Sequence, residues 1–174
     1  EIPHVETAEQ HLSLRLDHYN SEMNGVISDD GKSIAGEWRK RRGADKWVTI
    51  PFQAKAGGGR RFEKEIDADT HAFDFAGRWR VRFKSDTEDS VGIFKKLDED
   101  LWGGTFLTTT GDYRYLTGNR DGKHLRLSCF DGAHAFLFDV EANAAGELKG
   151  EFRNWNTWHD TWTATRDPKA QLPN

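Results

Sequence analysis

Hydrophobic and polar residues alternate with a period of two along most of this chain. The clearest run is 77–83, where Trp79, Val81 and Phe83 are separated by arginines. A period of two places successive side chains on opposite faces of a β-strand. The pattern therefore predicts a half-buried antiparallel strand with its arginines toward water.

The stretch 108–140 predicts three further strands, at 113–117, 124–130 and 134–140. In the first, Tyr113 and Tyr115 alternate with other residues, and in the second, leucines and Cys129 alternate with polar residues. Between the last two strands, Asp131-Gly132 predicts a two-residue hairpin turn, because a type I′ turn needs positive φ at both central positions.

Similar runs predict strands at 12–18, 23–28, 33–40, 46–54, 91–97, 101–107, 147–153 and 157–165. Residues 1–10 show no clear period. Short strands separated by turn residues every 8–12 positions are typical of an all-β antiparallel meander. We therefore expect a barrel or a sandwich, lipocalin- or streptavidin-like in style.

The first and last thirds of the chain resemble each other. The sequences align Leu14 and Leu16 with Leu125 and Leu127, Gly36 with Gly150, and His18 with Cys129. We expect two related β repeats. Residues 1–54 form the C-terminal part of a first, incomplete repeat that lacks its upstream strands. Residues 55–75 form a linker, 76–167 a complete second repeat, and 168–174 a tail toward a missing downstream domain.

Composition narrows the range of functions. The net charge is −4, and 25 basic residues are interleaved with 29 acidic ones. Nucleic acid is not an expected partner, because phosphate binding needs a clustered basic surface. No apolar run approaches the roughly 20 residues of a transmembrane helix. One cysteine excludes an internal disulfide and a CxxC pair.

Candidate metal ligands are Cys129, His134 and His159, with the neighbouring carboxylate of Asp160. A cysteine, two histidines and a carboxylate suit zinc or copper, and a Cys–His pair suits nucleophilic catalysis. The alternative is that Cys129 and His134 fill apolar strand faces as core residues. No other catalytic motif stands out, and no cofactor is predicted.

Asp160 stands between Trp158 and Trp162 on one predicted strand face. A carboxylate on such a face must be paired or line a polar cavity, and Arg114 or Arg126 is the expected partner. Residues 108–114 read either as a pocket rim or as a β-bulge. The candidate ligand-binding residues are Tyr113, Arg114, Tyr115, Arg126, Trp158, Asp160 and Trp162.

The motifs TGDYRYL, SCFDGAHAFLF and TWHDTWTA, followed by an LP-type tail, resemble the β-rich region before the thioredoxin-like domain of exported TlpA/ResA-type thiol–disulfide oxidoreductases. In that family the redox chemistry belongs to a CxxC in the thioredoxin-like domain, so no catalytic residue carries over to this chain. The resemblance implies an exported protein of the periplasm or cell envelope. It also implies a thioredoxin-like domain downstream, or a redox partner protein.

Three functional interpretations remain open at this point. The first is a non-catalytic accessory or docking domain of an exported thioredoxin-like disulfide reductase. The second is a barrel that carries a small apolar or polar ligand in its interior. The third is a metal-binding protein or enzyme that uses Cys129, His134, His159 and Asp160.

Overall fold

The computed structural model describes residues 4–64, 72–155 and 157–173. It divides the chain into two compact units. The first comprises Glu1–Gly59 with Asp131–Ala133, and the second comprises Arg60–Phe130 with His134–Asn174. The division falls within the predicted linker 55–75, of which residues 65–71 lie outside the described part.

The first unit contains a five-stranded antiparallel sheet in sequence order. Its strands are β1 (His4–Ala8), β2 (His11–Leu16), β3 (Ser21–Ile27), β4 (Ser33–Arg41) and β5 (Trp47–Lys55). The edges are β1 and β5. Pro51 lies on β5, where its missing N–H leaves no gap in a central ladder.

The second unit is a closed eight-stranded antiparallel barrel. Its strands are β6 (Gly77–Phe83), β7 (Ser90–Lys96), β8 (Trp102–Thr108), β9 (Gly111–Asp121), β10 (His124–Phe130), β11 (Ala135–Ala142), β12 (Leu148–Asn154) and β13 (Trp158–Arg166). Each strand pairs with the next, and β13 pairs with β6 to close the ring. The all-β antiparallel prediction is confirmed, and the second unit takes the barrel form.

Aromatic side chains fill the barrel interior. Phe106 stacks on Phe138 with ring centroids 4.2 Å apart, and Phe138 stacks on Phe152 at 4.6 Å. Trp162 meets Phe106 edge-on at 5.1 Å. An eight-stranded barrel is just wide enough for such side chains to fill it. The interior is therefore a packed core.

The predicted alternation holds in β6 and β10. Trp79, Val81 and Phe83 are buried, and so are Leu125 and Leu127. The side chains between them point outward from the barrel. These strands follow the period-two rule because one face meets the core and the other meets water.

Three local predictions need correction. The strand β1 escaped prediction, because all five of its residues are exposed and no apolar alternation marks it. The strand β2 ends at Leu16 and is followed by the 3₁₀ turn Asp17–Tyr19. The predicted two-residue turn after β10 is a four-residue loop, since Phe130 pairs with Ala135.

A β-bulge interrupts β9. Gly104 pairs with Leu116 and Phe106 with Tyr113, so that Arg114 and Tyr115 together oppose one residue of β8. The extra residue breaks the predicted alternation. Tyr113 is half-buried, Leu116 is buried, and Tyr115 is 82% exposed with φ 56°.

The strand order of β1–β5 repeats that of β9–β13, but the register corrects the sequence alignment of the repeat. Gly36 pairs with Phe52 as Gly150 pairs with Trp162. Followed outward from these glycines, the ladders match Leu12 with Leu125, Leu14 with Leu127 and Leu16 with Cys129. The sequence alignment is therefore shifted by two residues in β2, and His18 does not occupy the position of Cys129.

Candidate binding site at one end of the barrel

Four turns of the barrel, those after β6, β8, β10 and β12, lie at the same end, because successive strands of a meander run in opposite directions. We call this the Asp160 end. It contains the start of β9 with Tyr113, the end of β10 with Cys129, the start of β11 with Phe136, and the start of β13 with Trp158. Residues far apart in the sequence meet there.

Asp160 is only 8% exposed and points into this end of the barrel. Its Oδ2 accepts hydrogen bonds from the Ser85 hydroxyl at 2.6 Å and the Ser85 backbone N–H at 3.2 Å. Its Oδ1 accepts a bond from the Thr161 backbone N–H at 2.7 Å. All three donors are neutral, so these bonds satisfy the oxygens without neutralising the charge.

The prediction that Arg114 or Arg126 pairs with Asp160 is wrong. Arg114 binds Asp112 at 2.6 Å, and Arg126 binds Asp121 at 3.2 Å. Both arginines lie on the outer surface of the barrel, from which they do not reach an inward-facing carboxylate. Among the described residues, no Lys, Arg or His makes an ion pair with Asp160.

Aromatic side chains lie at the same end of the barrel as the carboxylate. The Tyr113 ring lies 5.0 Å from the Phe136 ring and 5.1 Å from the Phe152 ring. Phe152 is the residue of β12 that pairs with Asp160 of β13. Burial raises the pKa of the Tyr113 phenol, and the negative charges of Asp86 and Asp160 raise it further because they oppose a phenolate. Trp158, on the same face of β13 as Asp160, is 54% exposed at the rim.

The three predicted metal ligands do not come together. Cys129 packs against the core, and His134 stacks on Phe136 at 5.2 Å. His159 lies on the outward face of β13, 3.3 Å from Glu151. In the part of the chain that the structure describes, no three His, Cys, Asp or Glu side chains form a group that could hold a metal ion.

Two other predicted site residues lie away from the Asp160 end. Trp162 is buried deeper in the core, and its Nε1 has no hydrogen-bond partner. Arg126 lies outside the barrel, where it shares the buried carboxylate of Asp121 with Arg60. The Arg60 contact measures 2.7 Å.

This charged cluster was not predicted from the sequence. Asn119 Oδ1 accepts the backbone N–H groups of Arg61 and Phe62 at 2.8 and 3.0 Å. Residues 60–62 are thus held on the outer face of β9, although they fall within the predicted linker 55–75. The available signal in the sequence is the spacing of Asn119 and Asp121, two polar residues at alternate positions of one strand. The structure buries both.

Two open grooves lie on outward strand faces. One, of about 720 Å³, is lined by His124, Asp139, Glu141, Lys149 and their neighbours around Gly150. The other, of about 480 Å³, lies over the first sheet around the equivalent Gly36. Both have mixed charge, and neither enters the barrel. The filled interior argues against a ligand carried within the barrel.

No protein-family profile, curated protein or solved structure matches the chain. Nothing in these comparisons links it to TlpA/ResA-type proteins. Within the described ranges, the structure has no apolar helix of membrane-spanning length.

Proposed function

We propose that this chain is a non-catalytic accessory domain that docks a thioredoxin-like disulfide reductase domain. One observation supports the proposal above the others: a barrel with a filled interior exposes large aromatic side chains around one end. Tyr115 is 82% exposed and Trp158 is 54% exposed. Exposed tyrosines and tryptophans supply much of the binding energy in protein interfaces.

The identity of the partner rests on the sequence resemblance. Cys129 is the single cysteine of the chain, so the redox-active CxxC must come from the partner. On the same basis we propose that the protein works outside the cytoplasm, in the periplasm or cell envelope.

The test is a titration of the isotope-labelled chain with the purified thioredoxin-like domain of a TlpA/ResA-type reductase. We expect saturable shifts of the Trp158 indole resonance in NMR spectra. The double variant Tyr115→Ala/Trp158→Ala is expected to bind at least tenfold more weakly. Trp47→Ala is the matched control, because Trp47 is 46% exposed but lies on the sheet of the first unit.

Two results would contradict the proposal: no binding at millimolar concentrations, or equal binding by the double variant. A separate measurement addresses catalysis. In an insulin reduction assay with dithiothreitol, the chain alone is expected to give the background rate. A rate above background that disappears in Cys129→Ser would overturn the non-catalytic assignment.

A further inference from the structure

We propose that the Asp160 end of the barrel binds the basic side chain of a lysine or arginine presented by a partner polypeptide. The inference rests on the proposed function only in taking the ligand to be part of a protein. It starts from Asp160, a carboxylate that is 8% exposed and receives hydrogen bonds from neutral donors alone. Burying a charge without a counter-ion is costly, so a cation that enters this end gains a strong partner.

The repeat does not require a carboxylate at this position. Asp160 pairs with Phe152 on β12, and the equivalent ladder of the first sheet pairs Ile50 with Trp38 on β4. The same place in the repeat therefore accepts an aliphatic residue. The buried charge is a feature of the barrel alone, which is where the aromatic end is found.

The surroundings favour a cation over other ligands. Asp86 places a second negative charge near Tyr113, and neither carboxylate has an ion-pair partner among the described residues. The neighbouring arginines are engaged elsewhere, Arg114 with Asp112 and Arg82 with Asp89 at 2.6 Å each. An anionic ligand would meet uncompensated negative charge at this end.

The aromatic rings determine which kind of cation fits. Tyr113 lies at the same end of the barrel as the carboxylate, and the 54% exposed ring of Trp158 lies on the same strand face as Asp160. Rings attract ammonium and guanidinium groups through their negative faces, and they also cover the aliphatic stem of a lysine or arginine. A metal ion would need several oxygen, nitrogen or sulfur ligands, and the described residues offer no such group here.

The experiment uses three small probes that differ only in side chain: the N-acetyl methylamides of lysine, arginine and norleucine. NMR titration of the full chain should give saturable shifts at Tyr113 and Trp158 with the two basic probes. The norleucine probe, which has the stem without the charge, should bind at least tenfold more weakly. Equal binding of all three probes would overturn the proposal.

Two variants separate the charge from the structural role of Asp160. Asp160→Asn retains an oxygen that can accept the Ser85 hydrogen bonds but removes the charge, and it should bind the basic probes at least tenfold more weakly. Ser85→Ala removes the hydroxyl that hydrogen-bonds to Asp160 but retains the charge, so it should weaken probe binding less than Asp160→Asn does. Glu141→Gln, at an exposed position of β11, is the control for a general loss of negative charge.

If Asp160→Asn binds the probes as well as the unaltered protein does, the inference is refuted. The proposed function fails separately. A chain that binds the basic probes but no thioredoxin-like domain would retain the cation site and lose the docking proposal. A chain that binds the domain, but binds the basic probes equally well with and without the Asp160 charge, would retain docking and lose the cation site.

Discussion

Replacing Gly150 with alanine tests whether the barrel core is as tightly filled as the structure indicates. A Cβ at this position would overlap the Trp162 indole, with Nε1 only 2.6 Å away. The ring cannot move aside freely, because Phe106 lies 5.1 Å and Phe83 6.3 Å from it. Gly150 has an ordinary backbone conformation, so steric overlap decides the effect.

The size of the effect follows from two opposing contributions. Overpacking a filled core costs about 1–3 kcal/mol. Alanine also lowers the conformational entropy of the unfolded chain, which stabilises the folded state by about 0.4–1 kcal/mol. We expect a net loss of about 1–2 kcal/mol in the free energy of unfolding, equivalent to a fall of roughly 3–8 °C in Tm. Urea and thermal denaturation followed by circular dichroism measure both quantities.

A second substitution identifies the cause. Trp162→Phe removes the atoms that a Cβ at Gly150 would overlap, so the double variant should lose about 1 kcal/mol less than the sum of the single variants. The equivalent Gly36→Ala should not be rescued by shortening Phe52. There the Cβ would overlap the Asn24 carbonyl oxygen, which is backbone of β3. Additive losses at Gly150 would refute the reasoning.

Three further predictions follow from local geometry. Tyr115 has φ 56°, so Tyr115→Gly should be about 1 kcal/mol more stable than Tyr115→Ala in urea, and equal stabilities would argue against backbone strain. Asp160→Asn should lower the pKa of Tyr113, measured by alkaline absorbance titration with the other two tyrosines replaced by phenylalanine. Because the raised pKa of Tyr113 keeps the phenol protonated in the folded state, the protein should lose stability as the pH rises above about 10. This loss should be smaller in Asp160→Asn. An unchanged Tyr113 titration in that variant would show that the Asp160 charge does not act on the phenol. Asp121 is buried against two arginines, so Asp121→Ala should lower the free energy of unfolding by about 2–4 kcal/mol and speed tryptic cleavage near Arg60. Asp112→Ala, which removes an exposed ion pair, should lower it by under about 1 kcal/mol.

The sequence predicted the strands that have one buried face and one exposed face. In β6, apolar residues alternate with arginines; the structure buries the apolar residues, exposes Arg80 and Arg82, and leaves Arg78 half-buried. The edge strand β1 lacks this contrast because every residue in it is exposed, and no period reveals it. Strand prediction from alternation therefore succeeds where a core exists on one side.

Register is harder to predict than strand position. The sequence alignment of the two repeats is shifted by two residues in β2. A shift of two keeps every side chain on its face, so the alternation of apolar and polar residues does not reveal it. The bulge in β9 has the opposite effect. One extra residue turns Tyr115 outward while leaving Tyr113 inward, and no glycine at either position signals it.

The sequence predicts residues of the candidate site but not the contacts that they make. Asp160 stands out in the sequence because a carboxylate on a Trp-lined strand face is unusual, and Tyr113 belongs to the stretch 108–114 that reads as a pocket rim or a bulge. The Ser85 donors come from a turn 75 positions away and replace the expected arginine partner. Whether a side chain points inward or outward follows from alternation, but the partner it meets depends on how the barrel closes.

Closure of the barrel also sets the order in which it can form. Every strand pair of the barrel except one joins neighbours in sequence, and the exception joins Phe83 of β6 to Trp162 of β13, 79 positions later. A growing chain therefore exposes β6 as an unpaired edge until β13 has been synthesised. Exposed edges invite pairing with other chains, and charged side chains along an edge oppose it. By this reasoning the arginines of β6 would oppose pairing with other chains during synthesis, before β13 is available to close the barrel.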